Sequence, residues 1–228
     1  EANEMAYAQM QGSTSGVIGV LGGMGPLATL DFLQKVLDAT PALRDQDHLP
    51  VVVSSIPQVP DRNAPFRGEG ESPLAAMVAS GRRLVAAGAG MIVVPCNTAH
   101  LWFEPVQAAL GLPMLHLVDA ALDEAIERVG AGARLGLLAT DATLASGLYL
   151  NRKRDELRKD VRHDVRHDVQ WVLPTASEVL EDLMPGIAAV KAGELERAGA
   201  ALGRVAQALV QCGAQGLVLG CTEIPVVL

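Results

Sequence analysis

The chain alternates short apolar runs with longer stretches in which apolar residues recur at helical spacing. Residues 17–21 (VIGVL) read as a buried strand, and 26–38 as a helix with Leu27, Leu30, Leu33 and Leu37 on one stripe. Pro26 suits the first helical position, where no backbone N–H is needed. The same reading places strands at 51–55, 91–94 and 113–117. It places helices at 73–87, from Pro105, and at 118–129. Residues 41–49 are polar loop. A longer loop, 57–71, carries Pro60-Asp61-Arg62-Asn63; loops of this length without structure of their own are usually functional or mobile. Strands alternating with helices predict an α/β protein with mostly parallel sheets.

The pattern then restarts. Residues 134–140 (RLGLLAT) echo 17–23 (VIGVLGG), with Gly136 in the place of Gly19. A helix at 141–159, a strand at 169–173, helices at 177–191 (interrupted at Pro185-Gly186) and 195–211, and a last strand ending near Cys221 follow. The two copies are offset by 117 residues at the glycines and 125 at the cysteines Cys96 and Cys221, a small drift for a duplication. The expected architecture is a flexible tail at 1–16 and two pseudo-symmetric lobes, 17–117 and 118–228. Each lobe is a mostly parallel sheet flanked by helices, with an active site in the cleft between them. The stretch 113–129 has no counterpart after Leu228, so the repeat by itself predicts one more strand and helix for the second lobe.

Composition narrows the function. Half the residues are apolar but aromatics are scarce, which suits aliphatic strands buried on both faces. A net charge of -8 argues against a nucleic-acid partner, because phosphate binding needs a cationic footprint. Three cysteines are too few and too odd in number for a disulfide framework, which points to a reducing, cytoplasmic setting. No apolar run reaches membrane-span length, and 1–16 lacks the basic and apolar regions of a secretory signal.

The chemistry concentrates at the repeated strand ends. GAGMIVVPCNTAH (88–100) and GAQGLVLGCT (213–222) each set a cysteine eight residues after a glycine, at the carboxyl end of a strand. That end is where ligands bind in open α/β sheets. A helix start after each cysteine would lower its pKa, and Thr98 and Thr222 offer donors to a carboxylate. Two thiolates in one site repel, so one thiol and one thiolate is the favoured pairing. An acid and a base on opposite walls can invert a stereocentre, with the sulfurs about 7 Å apart across the carbon. Buried structural cysteines are the bland alternative, and Cys212, without such flanks, is read that way. His100 and Glu223 could tune the thiols or merely cap and face solvent.

Other motifs are weaker. Gly23-x-Gly25-x-x-Ala28 loosely fits a dinucleotide fingerprint, but Pro26 removes an amide and no acid ends the 51–55 strand to hold a ribose. His163 and His167, in the tandem VRHDVRHD, have i, i+4 spacing for a metal if helical; a solvated linker is the simpler reading. Arg152, Lys153, Arg154, Arg158 and Lys159 read as an exposed helix face.

VIGVLGGMGPLAT, the PDR loop, PCNTAH, GLLAT, VKAGEL and LGCTEIP together resemble the cofactor-independent aspartate/glutamate racemases, most nearly the aspartate racemases, over 17–228. The resemblance implies interconversion of D- and L-aspartate without pyridoxal phosphate, by Cys96 and Cys221. It implies carboxylate binding around Asn97, Thr98 and Thr222, with Met24 over the site. It implies recognition of the side-chain carboxylate by Arg62 and Lys191, for which a bidentate guanidinium and a point charge are suited. The expectation is thus an isomerase with a small dicarboxylic amino acid as substrate, no cofactor, no metal and no membrane partner. A homodimer is expected because symmetric dimers are the commonest oligomers. Glutamate or broad-specificity racemases, maleate isomerases and hydantoin racemases are the neighbouring readings, and a dicarboxylate-binding sensor is the non-enzymatic one.

Overall fold

A computed structural model describes residues 16–130, 132–152 and 169–228. The chain divides into two compact units, Glu1–His116 and Leu117–Leu228.

The first unit is a four-stranded parallel sheet in the order β2-β1-β3-β4, formed by β1 (Ile18–Gly22), β2 (Val51–Ser55), β3 (Met91–Val93) and β4 (Met114–Leu115). Helices α1 (Pro26–Asp38), α2 (Leu74–Ala86) and α3 (Phe103–Leu110) connect the strands. Helix α4 (Leu117–Val129) opens the second unit. There β5 (Arg134–Ala139), β6 (Gln170–Val172) and β7 (Gly216–Gly220) form a parallel sheet in the order β6-β5-β7. The remaining helices are α5 (Asp141–Ser146), α6 (Ala176–Glu178), α7 (Met184–Lys191) and α8 (Leu195–Gln211). β1 and β5 therefore occupy equivalent places, each flanked by the strand that follows it and by the strand that ends at a cysteine.

The repeated glycines explain themselves in this setting. A Cβ on Gly19 would stand 2.7 Å from Ile92 Cδ1, 2.8 Å from Ala89 Cβ and 3.2 Å from Leu84 Cβ. One on Gly136 would stand 2.6 Å from Leu217 Cδ2 and 3.2 Å from Leu209 Cβ. Leu84 lies on α2 and Leu209 on α8, so in both copies a helix presses on the central strand where only hydrogen fits. Gly23 is constrained twice, by φ of +89° and by Ile56 N, 2.4 Å from where a Cβ would sit.

Four expectations need correction. The leucine stripe of α1 gave the right helix but the wrong buried face: Leu30 is 63% exposed and Leu37 50%, while Ala28 and Thr29 are buried. Thr29 is the reason. Its Oγ1 accepts from Gly23 N–H and donates to Gly25 O, both at 2.9 Å, and its Cγ2 fills the space above Gly22. The helix meets the sheet through small residues, and the leucines turn outward. Second, β4 has two residues rather than five. Pro113 has only a carbonyl to offer, used by Ile92 N–H at 2.9 Å, and Leu117 already starts α4. Third, the helix after β5 stops at Ser146 with Gly147 at φ +70°. Residues 153–168, with the VRHD tandem and most of the basic run, lie outside the described residues, as does the tail through 15. Arg152 is no bare surface charge: it donates to both carboxylate oxygens of Asp119 on α4, at 2.7 and 2.8 Å. Fourth, Pro185-Gly186 does not interrupt the helix. The turn before it widens to π geometry at Val179–Leu183, and α7 continues through the proline. A wider turn accommodates both the missing N–H and the ring's clash with the carbonyl four residues back.

Gly19→Ala is expected to destabilise the first unit by about 1–3 kcal/mol. Gly136→Ala should cost less, since the one atom within 3.0 Å there is the free end of a leucine, whereas at Gly19 the backbone-fixed Cβ of Ala89 stands at 2.8 Å as well. Thermal melts of the two variants check this; equal and unchanged melting temperatures would contradict the packing.

Candidate functional site

In the first unit the chain leaves β3 through Val94 and Pro95 and turns at Cys96, whose N–H donates to Val94 O at 2.8 Å. Cys96, Asn97 and Thr98 are all buried, with Cys96 6% exposed. A single 3-10 turn, Thr98–Trp102, follows directly. His100 is buried on this turn, with Nδ1 2.8 Å from Cys96 O. A carbonyl only accepts, so Nδ1 carries the proton and the imidazole clamps the cysteine's backbone. The ring stacks on Phe103 at 5.7 Å and meets His116 edge-on at 4.7 Å. His100 is thus neither a surface residue nor a helix cap. It fixes the turn that carries Cys96.

Met24, Val59, Met77 and Cys96 belong to one buried cluster. The 57–71 loop has structure of its own, including a 3-10 turn at Pro65–Arg67. Asp61 accepts from the N–H groups of Asn63 (3.0 Å) and Ala64 (2.7 Å). Arg62 folds back on this loop, donating from Nη1 to Val59 O at 3.2 Å and to Pro60 O at 2.8 Å. Its Nε is buried and makes no hydrogen bond. The guanidinium is therefore tethered through Val59 to the cluster that holds Cys96 and Met24, with its buried Nε–H unspent.

In the second unit Cys221 follows the last residue of β7 and is 5% exposed. Its Sγ–H donates to Glu223 Oε2 at 3.0 Å. Glu223 is itself 4% exposed; its Oε1 accepts no hydrogen bond and lies 4.0 Å from Lys191 Nζ. Lys191 is the last residue of α7, where the helix carbonyl end favours a cation. Thr222, half-buried, separates the cysteine from the glutamate. Tyr149, buried under Gly220 and edge-on to Trp171 at 6.1 Å, completes the surroundings. Burial, and then the charge a Cys221 thiolate would carry, keep its hydroxyl protonated.

The helix-dipole expectation fails for Cys221. Burial above all, then the negative charge of Glu223, push its thiol well above the ordinary range; the positive charge of Lys191 opposes them weakly. Cys221 therefore rests as a thiol, a proton donor beside a carboxylate. Cys212, read from the sequence as a packing cysteine, is instead exposed, because it caps the end of α8 rather than lying on its buried face.

Tyr149 gave no signal in the sequence, because the predicted helix at 141–159 offered no reason to set one aromatic inward. The glycine-rich loop is not free to cradle a phosphate through Gly23, whose N–H is taken by Thr29. Among the described residues no group of three or more His, Cys, Asp or Glu side chains is placed to hold a metal ion. His163 and His167 fall outside them. Also among the described residues, no helix is long and apolar enough to cross a membrane.

Comparison with known proteins places the chain in a family. Residues 21–228 match the Asp/Glu/hydantoin racemase family. The chain is 30% identical to the aspartate racemase of Picrophilus torridus, whose structure superposes with a TM-score of 0.77 over 94% of this chain and 84% of that one. It is 32% identical over 137 residues to a broad-specificity amino-acid racemase of Bacillus subtilis, covering 58% of each. It is 32% identical over 210 residues to the glutamate racemase of Deinococcus radiodurans, covering 89% of this chain and 61% of that protein. The chain thus spans about three-fifths of the length of these two curated relatives. On sequence and fold together, the chain belongs to the Asp/Glu/hydantoin racemase family.

Proposed function

We propose that the protein is an amino-acid racemase that interconverts D- and L-aspartate without pyridoxal phosphate. Cys96 and Cys221 exchange the Cα proton in this reading. One sulfur, as thiolate, removes it, and the other, as thiol, delivers a proton to the opposite face. The observation that carries the reading is the matched placement of two buried cysteines, each after the strand beside the central strand of its own sheet. Structural cysteines have no cause to recur at equivalent strand ends with a polar Asn-Thr or Thr-Glu flank.

The other residues divide the substrate between them. Asn97, Thr98 and Thr222 bind the α-carboxylate through hydroxyl, amide and backbone donors. Arg62, with its unspent Nε, and Lys191 take the side-chain carboxylate, and Met24 covers the site from the glycine loop. Burial around each sulfur supports the reading, because a carbanionic intermediate must be kept from bulk water to be reprotonated on one face. Aspartate is favoured by the likeness to the Picrophilus torridus enzyme. A broader range is the second reading, favoured by the Bacillus subtilis relative. A symmetric dimer in the cytoplasm belongs to the same proposal.

The test is incubation of each aspartate enantiomer in deuterated water with no added cofactor, with glutamate, alanine and a hydantoin in parallel. Racemisation with deuterium at Cα of the product is expected for aspartate. Cys96→Ala and Cys221→Ala should each lower the rate by about 10²-fold or more; a rate kept by either variant ends the two-thiol reading. Binding without exchange would favour the sensor instead.

Iodoacetamide should inactivate a Cys212→Ser background, in which the exposed thiol is gone. Aspartate should protect, and mass spectrometry should place the label on Cys96 or Cys221. Full activity after complete labelling of both would contradict the proposal.

A further inference from the structure

Glu223 is held in an unusual way. One oxygen takes the proton side of Cys221 at 3.0 Å, and the other is buried with no hydrogen bond. The cation shown beside that second oxygen is Lys191, at 4.0 Å, too far to donate a hydrogen bond. Lys191 differs from Glu223 in exposure: its side chain is 42% exposed against 5%. A flexible four-carbon stem thus brings one ammonium within reach of both a buried carboxylate and a ligand arriving from solvent. Tyr149, the other titratable group beside Cys221, stays neutral and cannot replace that charge.

We propose that Lys191 couples substrate recognition to the protonation of Cys221: the distal carboxylate of a dicarboxylic amino acid draws the ammonium away from Glu223, and Glu223 then takes the proton of Cys221, so that the thiolate base forms only with such a substrate in place. The inference rests on Cys221 being one of the two acid–base groups. A buried carboxylate that loses its counter-charge is stabilised by taking a proton. A donor is already aimed at it, the Sγ–H of Cys221 at 3.0 Å. The S–H bond breaks with its electron pair left on sulfur, and the proton passes to Oε2. The thiolate then removes the Cα proton and becomes a thiol again. Glu223 keeps the first proton until it is returned through water to Cys96, which has given its own to the far face. The ammonium that departs is the one that stands 4.0 Å from Oε1.

The coupling makes the distal carboxylate act on turnover as well as on binding. Alanine, which lacks it, should exchange its Cα hydrogen slowly even at saturation, and a free carboxylate at Lys191 should restore the rate. The experiment measures deuterium exchange into both alanine enantiomers with sodium formate, using sodium chloride at equal ionic strength as the control. Wild type is expected to show a saturable increase in kcat of tenfold or more in the direction that uses Cys221 as base. Lys191→Met and Glu223→Gln should show none, and Glu223→Asp should recover part of it. Glu223→Gln also separates coupling from simple electrostatics. If Glu223 acts only through its charge, removing it moves the pH profile of kcat to lower pH and preserves the plateau; the coupling requires the plateau itself to fall. No formate response in wild type, including no alanine exchange under any condition, overturns the inference, as does a response that survives in Lys191→Met or Glu223→Gln. If Cys221→Ala racemises aspartate normally, the two-thiol reading has failed instead; if it does not and formate is without effect, the coupling alone has failed.

Discussion

Each unit depends on one close contact, a helix pressed against a central parallel strand where a glycine leaves no room for a side chain. Gly19 lies under Leu84 and Ala89, and Gly136 lies under Leu209. The central strand is buried along most of its length in both units, and β3 and β7, whose ends lead to the cysteines, lie beside it. The residues that leave those ends emerge into an interior, not onto a surface. That is why Cys96 and Cys221 are both nearly inaccessible although each stands where the chain turns.

The turns that carry the two cysteines are built differently. Cys96 is steadied through its backbone, by the imidazole of His100 on its carbonyl. Cys221 is steadied through its sulfur, by the carboxylate of Glu223. The first arrangement fixes the position of the turn. The second adds a negative charge beside the thiol, and together with burial that charge holds Cys221 in its protonated form.

Much of this was legible because it rests on local pattern. The strands at 51–55 and 91–94, the helix at 195–211 and the paired glycines follow from apolar spacing and from the repeat, and the structure shows them within a residue. Where one residue could satisfy two demands, pattern misled. The α1 leucines formed the best stripe, yet a threonine whose hydroxyl joins Gly23 to Gly25 decided which face turned inward. Pro185 read as a break, yet one π turn absorbed it.

The sequence by itself determined the parallel α/β architecture, the duplication, the two cysteines and the family motifs around them. Each depends on residue type and spacing, which the chain carries without folding. Only the tertiary structure decided the electrostatics: that Glu223 meets Cys221, that Lys191, thirty-two residues before Glu223, stands 4.0 Å from its carboxylate, and that Tyr149 closes over Gly220. The pKa direction of a thiol is set by burial and by charges a few ångströms away, and distance along the chain says nothing of either.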